Sequence, residues 1–230
     1  MTSLTIVMPV YNERRTLRTA LDRLLAVTMP IETEIVVVDD GSTDGCTDLI
    51  ADLVESGAVT LYVQNPNQGK GAALRRGIAE AKGDLLTILD ADLEYDPADF
   101  PSLLRPILDG DANVVYGTRS YGGHAAYSFW FVVGNKMLAL WASILFDAWL
   151  TDIETCLKVA PTDHWRRVDL KSNGFGIEAE LTGKLLAMKE RIFEVPISYR
   201  ARGREEGKKI QWTDGVAALW ILLRIRLRGK

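Results

Sequence analysis

Short β-branched apolar runs and longer stretches of helical spacing take turns along the first hundred residues. The runs at 4–8, 34–38, 59–63 and 85–89 have the length and composition of buried strands. Between them, Leu17, Leu21, Leu24 and Leu25 form one stripe of a helix that Asn12 and Glu13 stand ready to cap. A second helix runs through Leu49 and Leu53, and a third covers 72–81. The alternation predicts an α/β fold, a parallel sheet with helices on both faces. Ligands of such sheets bind outside the carboxyl ends of the strands. The loops expected there are 9–13, 39–42, 65–71 and 90–92.

The second half is less regular. Residues 113–118 predict a strand that ends at Arg119. The stretch 127–150 is strongly apolar, interrupted by Asn135, Lys136 and Asp147. It reads equally as a buried core helix or as an interfacial segment with Trp130, Trp141 and Trp149 at headgroup depth. Polar positions alternate over 151–158, the pattern of an exposed edge. A helix opens near Gly174 with Ala179, Leu181, Leu185 and Leu186 inward, 192–197 is a final strand, and 212–227 is an apolar helix.

Composition fits one large domain: 230 residues, 47% hydrophobic and 25% charged, enough for a sizeable core. The net charge of -4 gives no global pull toward nucleic acid or anionic lipid. The tail departs from that average. Nine basic residues face three acidic ones between Arg200 and Lys230, and Arg224 and Arg228 lie one turn apart. A basic helix with tryptophans predicts membrane-surface contact, and no basic-aromatic array of a known RNA module supports nucleic-acid binding. Cys46 and Cys156 have no metal-type spacing and fit reduced thiols. Met1-Thr2-Ser3 leads straight into the first strand, so no secretory leader is expected and the location expected is cytoplasmic.

The candidate chemistry centres on Asp90 and Asp92. Alternate strand residues share a face, so both carboxylates can project from one strand end. Such a pair repels itself unless a hard divalent cation, often shared with substrate phosphates, sits beside it. Taken alone, the pair reads more often as a turn or a helix cap. Asp39-Asp40-Gly41-Ser42 suits a turn, yet two adjacent aspartates exceed what a turn requires. Gly69-Lys70-Gly71 echoes a dinucleotide fingerprint, but after the third strand and with the last glycine out of register. That argues against a nicotinamide cofactor, and no P-loop is present. Arg119 is either a surface charge or a phosphate partner.

Four stretches taken together carry a resemblance: Pro9-Val10-Tyr11-Asn12-Glu13, Val37-Val38-Asp39-Asp40-Gly41-Ser42-Thr43-Asp44-Gly45, Asn67-Gln68-Gly69-Lys70-Gly71 and Asp90-Ala91-Asp92. In order and spacing they resemble glycosyltransferase family 2. The resemblance implies a GT-A fold and inverting transfer from a nucleotide-sugar. It would place Pro9, Tyr11, Glu13, Asp39, Asp40, Lys70, Asp90, Ala91 and Asp92 at the donor, with Asp90 and Asp92 at the diphosphate and its Mg2+ or Mn2+. The segments 151–158, 175–181, 194–199 and 202–210 look like the dolichyl- or polyprenyl-phosphate sugar synthase branch, whose members load one sugar onto a lipid phosphate at the cytoplasmic membrane face. That likeness implies Arg119 and Arg202 on the acceptor phosphate, Lys208 and Lys209 near the same loop, and Asp152 beside the reaction centre. Two departures stand out. Glu94 occupies a position that is Gln in some relatives, mannosyl-transferring ones among them, which favours UDP-glucose over GDP-mannose. Many relatives also continue into transmembrane helices after the basic tail, so membrane contact here would be peripheral or supplied by a partner.

The organisation expected is a catalytic domain over 1–200, its apolar segment at about 125–150, and a basic acceptor loop with an amphipathic helix over 201–230. A homo-oligomer or an integral membrane partner is compatible with the apolar segments. Two other readings compete: a glycosyltransferase with a soluble acceptor, and a catalytically silent subunit of a membrane protein. The intact Asp90/Asp92 pair counts against the silent subunit.

Overall fold

The computed structural model describes residues 2–121, 129–174, 176–201 and 212–228. The first half follows the expected alternation: β1 (Ser3–Val10), α1 (Leu17–Leu25), β2 (Glu32–Asp39), α2 (Ala51–Glu55), β3 (Thr60–Val63), α3 (Lys70–Glu80), β4 (Leu85–Ile88), α4 (Phe100–Leu108) and β5 (Val114–Thr118). Then come α5 (Phe129–Phe146), β6 (Lys158–Pro161), α6 (Thr162–Arg167), α7 (Ile177–Ala187), β7 (Ile192–Pro196) and α8 (Trp212–Arg228). The seven strands form one sheet in the order β3-β2-β1-β4-β6-β5-β7.

The sheet is mostly parallel, with one exception. β6 runs antiparallel between β4 and β5, while β5 and β7 pair in parallel. The sequence pattern missed β6 because Lys158 at its start and Pro161 at its end break the apolar run. The antiparallel direction matters for the site. A strand entering from the opposite end brings the residues before it, 152–157, to the rim where the parallel strands finish.

That segment is therefore not the exposed edge its alternation suggested. Asp152, Thr155 and Lys158 are fully buried, and Cys156 is nearly so. Two smaller expectations also change. Leu25 faces solvent, so the inner stripe of α1 is Leu17, Ala20, Leu21 and Leu24. Asn12 does not cap α1. Its side-chain oxygen accepts from the Thr43 amide at 2.8 Å, tying two rim loops together, and its backbone adopts φ 56°.

The main core fills both faces of the sheet around Leu4, Ile6, Met8, Leu86, Ile88, Phe100 and Tyr116. A second, smaller cluster joins α5, α7 and α8 through Leu138, Ala142, Ala179, Ala218 and Leu222. The core-helix reading of the apolar segment is met on one side of the helix. One face of α5 is core, while Trp130, Met137, Leu140 and Ile144 on the same helix, and Trp149 just beyond it, are exposed. Among the described residues no helix is long and apolar enough to cross a membrane.

Candidate active site

The carboxyl ends of β1, β2 and β4 meet where the strand order reverses about β1, the usual position of a ligand crevice. Each end carries a loop predicted from the sequence. Pro9 pairs with Val38 within the sheet, and the Asp40 amide donates to Val10 O at 2.8 Å, locking the first two loops. Tyr11 is 39% exposed at this lip. Glu13 accepts from the Thr16 hydroxyl at 2.8 Å and shapes the entry to α1.

The adjacent aspartates divide their work. Asp39 accepts from the amide and hydroxyl of Ser42, which is turn chemistry. Asp40 reaches across to another loop. Its Oδ1 accepts from Gln64 Nε2 at 3.0 Å and the Gln68 amide at 2.9 Å, and its Oδ2 from the Gly69 amide at 2.7 Å. Both side chains are buried. The second aspartate that exceeded a turn's needs is thus the clamp on residues 64–69.

That clamp positions Lys70. Gly69 has φ +95°, and a Cβ on it would lie 2.5 Å from Asn173 O, so only glycine fits between the clamp and the 172–173 backbone. Lys70 then opens α3, and its Nζ donates to Asp90 Oδ2 at 2.8 Å and lies 3.7 Å from Glu178 Oε1. Burial works against the ammonium, but Asp90 and Glu178 outweigh it and hold its pKa above the ordinary lysine value. Asp92, two residues on, accepts the Glu94 amide at 3.0 Å across a turn in which Leu93 adopts φ 63°. Ala91 between them is buried.

Glu178 links this pair to a second cation. Fully buried Lys158 donates to Glu178 Oε2 at 2.5 Å and to Ile153 O at 2.9 Å. Neither residue was selected from the sequence. Lys158 looked like an edge lysine, and Glu178 sits in a helix whose other positions are nearly all buried too. An acid on such an all-round buried helix was the available signal.

The opposite side of the rim is built on Asp152. Arg119, at the end of β5, donates from Nε to Asp152 Oδ2 at 2.6 Å and from Nη2 to Oδ1 at 2.7 Å. Asn135 on α5 adds a bond at 3.2 Å. Burial would raise the Asp152 pKa, but the Arg119 charge and hydrogen bonds prevail and hold it below the usual carboxylate value. The Arg119 guanidinium also lies 5.0 Å from the centre of the Tyr199 ring, whose hydroxyl donates to Glu94 at 2.5 Å. Tyr199 therefore connects the loop after Asp92 with Arg119. Arg202, Lys208 and Lys209 lie outside the described residues.

Among the described residues no three His, Cys, Asp or Glu side chains gather as a complete metal site. A divalent ion in a nucleotide site needs fewer. One or two carboxylates, phosphate oxygens and waters suffice, and the all-oxygen set of Asp90 and Asp92 fits that demand.

Comparison with known proteins agrees with this geometry. The family model described as glycosyl transferase family 2 matches residues 5–153. The chain is 31% identical over 245 aligned positions to an undecaprenyl-phosphate mannosyltransferase of Micrococcus luteus, covering 96% of this chain and 97% of that one. It is 29% identical to the low-salt glycan biosynthesis hexosyltransferase Agl6 of Haloferax volcanii, over 88% of this chain but only 49% of that protein, so the chain spans about half of that relative's length. It is 28% identical to a dolichol-phosphate mannosyltransferase of Pyrococcus furiosus, over 88% of this chain and 58% of that one. Among solved structures, glucosyl-3-phosphoglycerate synthase from Mycobacterium tuberculosis, crystallised with Mn2+, UDP and glucosyl-3-phosphoglycerate, superposes with a TM-score of 0.73 at 20% identity, covering 97% of this chain and 80% of that one. The shared architecture is the GT-A fold. With the motif loops at the rim of that fold and the family model covering both those loops and Asp152, the chain belongs to glycosyl transferase family 2.

Proposed function

We propose that the protein transfers a single sugar from a nucleotide-sugar to the phosphate of a polyprenol or dolichol, with inversion. The observation that carries this is the pairing of two charge signs along one rim. The Asp90/Asp92 end of β4 and the Arg119 end of β5 flank β6, whose entry segment holds Asp152. The printed activities of the Micrococcus and Pyrococcus relatives support the lipid-phosphate acceptor.

Pro9, Tyr11, Glu13, Asp39 and Asp40 would line the nucleoside, with Lys70 and Asp90 beside the diphosphate. A Mg2+ or Mn2+ held by Asp90 and Asp92 would neutralise charge on the departing diphosphate. The acceptor phosphate is anionic at neutral pH and needs little help from a base. Its oxygen bonds to the anomeric carbon as the bond from that carbon to the diphosphate breaks, and the electron pair leaves with the nucleoside diphosphate. One displacement from an α-linked donor gives a β-linked product. Arg119, held in orientation by Asp152, would grip the acceptor phosphate, together with Arg202, Lys208 and Lys209. The protein's contribution is orientation and charge stabilisation.

For the donor, Glu94 favours UDP-glucose, while the relatives' names favour a mannosyl donor. The exposed apolar face of α5, Trp149 and Trp220, beside Arg224, Arg226 and Arg228 of α8, suits peripheral contact with the cytoplasmic leaflet. An acceptor competition tests the proposal: polyprenyl phosphate in detergent against 3-phosphoglycerate, read by release of nucleoside diphosphate. Release stimulated by the lipid phosphate alone supports it. Release stimulated only by the soluble acid overturns it.

A further inference from the structure

Lys70 stands between two carboxylates and is hydrogen-bonded to one of them. Its Nζ donates to Asp90 Oδ2 at 2.8 Å and stops 3.7 Å from Glu178 Oε1, about 1 Å short of a hydrogen bond. Glu178 is 6% exposed, and its Oε1 is sealed from solvent with no hydrogen-bond partner among the described residues. Its other oxygen is taken by Lys158, whose ammonium is also fixed by Ile153 O. A buried carboxylate oxygen without a partner costs free energy. Solvent does not reach this one, so the group in range to complete it is the ammonium already beside it.

The backbone around the gap is pinned, so only the lysine side chain has to move. The Gly71 amide donates to Asn173 O at 2.8 Å, and a Cβ on Gly71 would lie 2.0 Å from Ser172 O. Glu180, in the first turn of α7 with Glu178, accepts from the Ser172 amide at 2.8 Å. The starts of α3 and α7 are thereby tied to one strip of chain. In the reaction proposed above, Asp90 ligates a divalent cation, and an ammonium on the same carboxylate is then repelled. We propose that Glu178 is a positioning residue for Lys70. It receives the Lys70 ammonium when the cation occupies Asp90, and so keeps that positive charge at the diphosphate end of the rim. The lysine has a seat in both states, on Asp90 without the cation and on Glu178 with it. Lys158, by holding Glu178 Oε2, leaves Oε1 for Lys70.

The inference rests on the proposed reaction, through the cation at Asp90, and the measurements separate the two. Mn2+ binding in the presence of UDP and, separately, GDP is measured by calorimetry on the full chain. The samples are wild type, Glu178→Gln, Lys70→Met and the double variant, each checked for folding by circular dichroism. Glu178→Gln leaves the ammonium competing for Asp90, so it should weaken Mn2+ binding at least about fivefold, and by less than about twofold in the Lys70→Met background. Equal weakening in both backgrounds would make Glu178 a general acidic charge and overturn its positioning role, as would no weakening in either. Glu178→Gln also strands Lys158, so a second measurement needs no variant: a crystal structure of the wild type with Mn2+ and the nucleoside diphosphate it binds. Lys70 Nζ within hydrogen-bond distance of Glu178 Oε1 supports the proposal. Lys70 still without that bond, beside a bound Mn2+, would overturn the role of Glu178 and leave the cation site standing. Wild-type protein that binds Mn2+ with neither nucleotide would overturn both.

Discussion

Arg119 and Asp152 form a two-bond fork, 2.6 and 2.7 Å, with the carboxylate fully buried and the guanidinium side chain 14% exposed. Removing one member of a buried pair strands the other, at a cost of about 3–5 kcal/mol. Arg119→Ala should destabilise the protein by that amount, measured by urea denaturation. Because the Asp152 pKa is depressed in the folded state, the pair's stabilisation is present above the ordinary aspartate value and lost as pH falls through the depressed one. The difference between wild type and Arg119→Ala should therefore shrink in acid.

Glu154 has the opposite sign. Burial lifts its folded pKa to about 7, above the ordinary glutamate value of 4.5, so the folded state holds the proton more tightly. Stability from this group is complete below pH 4.5 and is lost as pH rises through about 7. Glu154→Gln should remove that slope and raise stability at pH 8 by on the order of 3 kcal/mol, from about 1.4 kcal/mol per pKa unit. Denaturation midpoints across pH 4–8 check this. An unchanged slope would place the carboxyl in water.

Gly69 is the hinge between the Asp40 clamp and Lys70. Gly69→Ala must force its Cβ against Asn173 O at an already left-handed φ. The expected cost is about 1–3 kcal/mol. Because Lys70 follows directly, nucleoside diphosphate affinity should weaken together with the melting temperature. A variant that melts lower but binds nucleotide normally would separate the loop from the donor site.

The first four strands and the loops at their ends were legible because each strand is a short apolar run closed by polar residues. The rim's far side was not. Lys158 breaks the apolar pattern of β6 while being fully buried, since its ammonium is satisfied by Ile153 O and Glu178, a residue twenty positions away. Periodicity cannot show such compensation. Likewise Tyr199 gains its place only when β7 lies beside β5 and brings the residues after it toward Glu94. Arg119 and Asp152 were each singled out as candidates, but nothing in their spacing of thirty-three residues announced that they bind each other.

The apolar face of α5 gives a separate expectation. Trp130 and Trp149 are 77% and 80% exposed. If they enter a lipid interface, replacing both by Ser should reduce flotation with vesicles containing anionic lipid while leaving nucleotide binding unchanged. Equal flotation of the double variant would assign this face to another role.

The most direct measurement is the intact mass of the lipid product. Wild-type protein, Mn2+ or Mg2+ and undecaprenyl phosphate are incubated with UDP-glucose and, separately, GDP-mannose, beside an Asp92→Ala control. A single added hexose on the lipid phosphate with one donor, absent in the control, is the predicted result. Unmodified lipid with every donor, while nucleoside diphosphate is still released, would contradict the account.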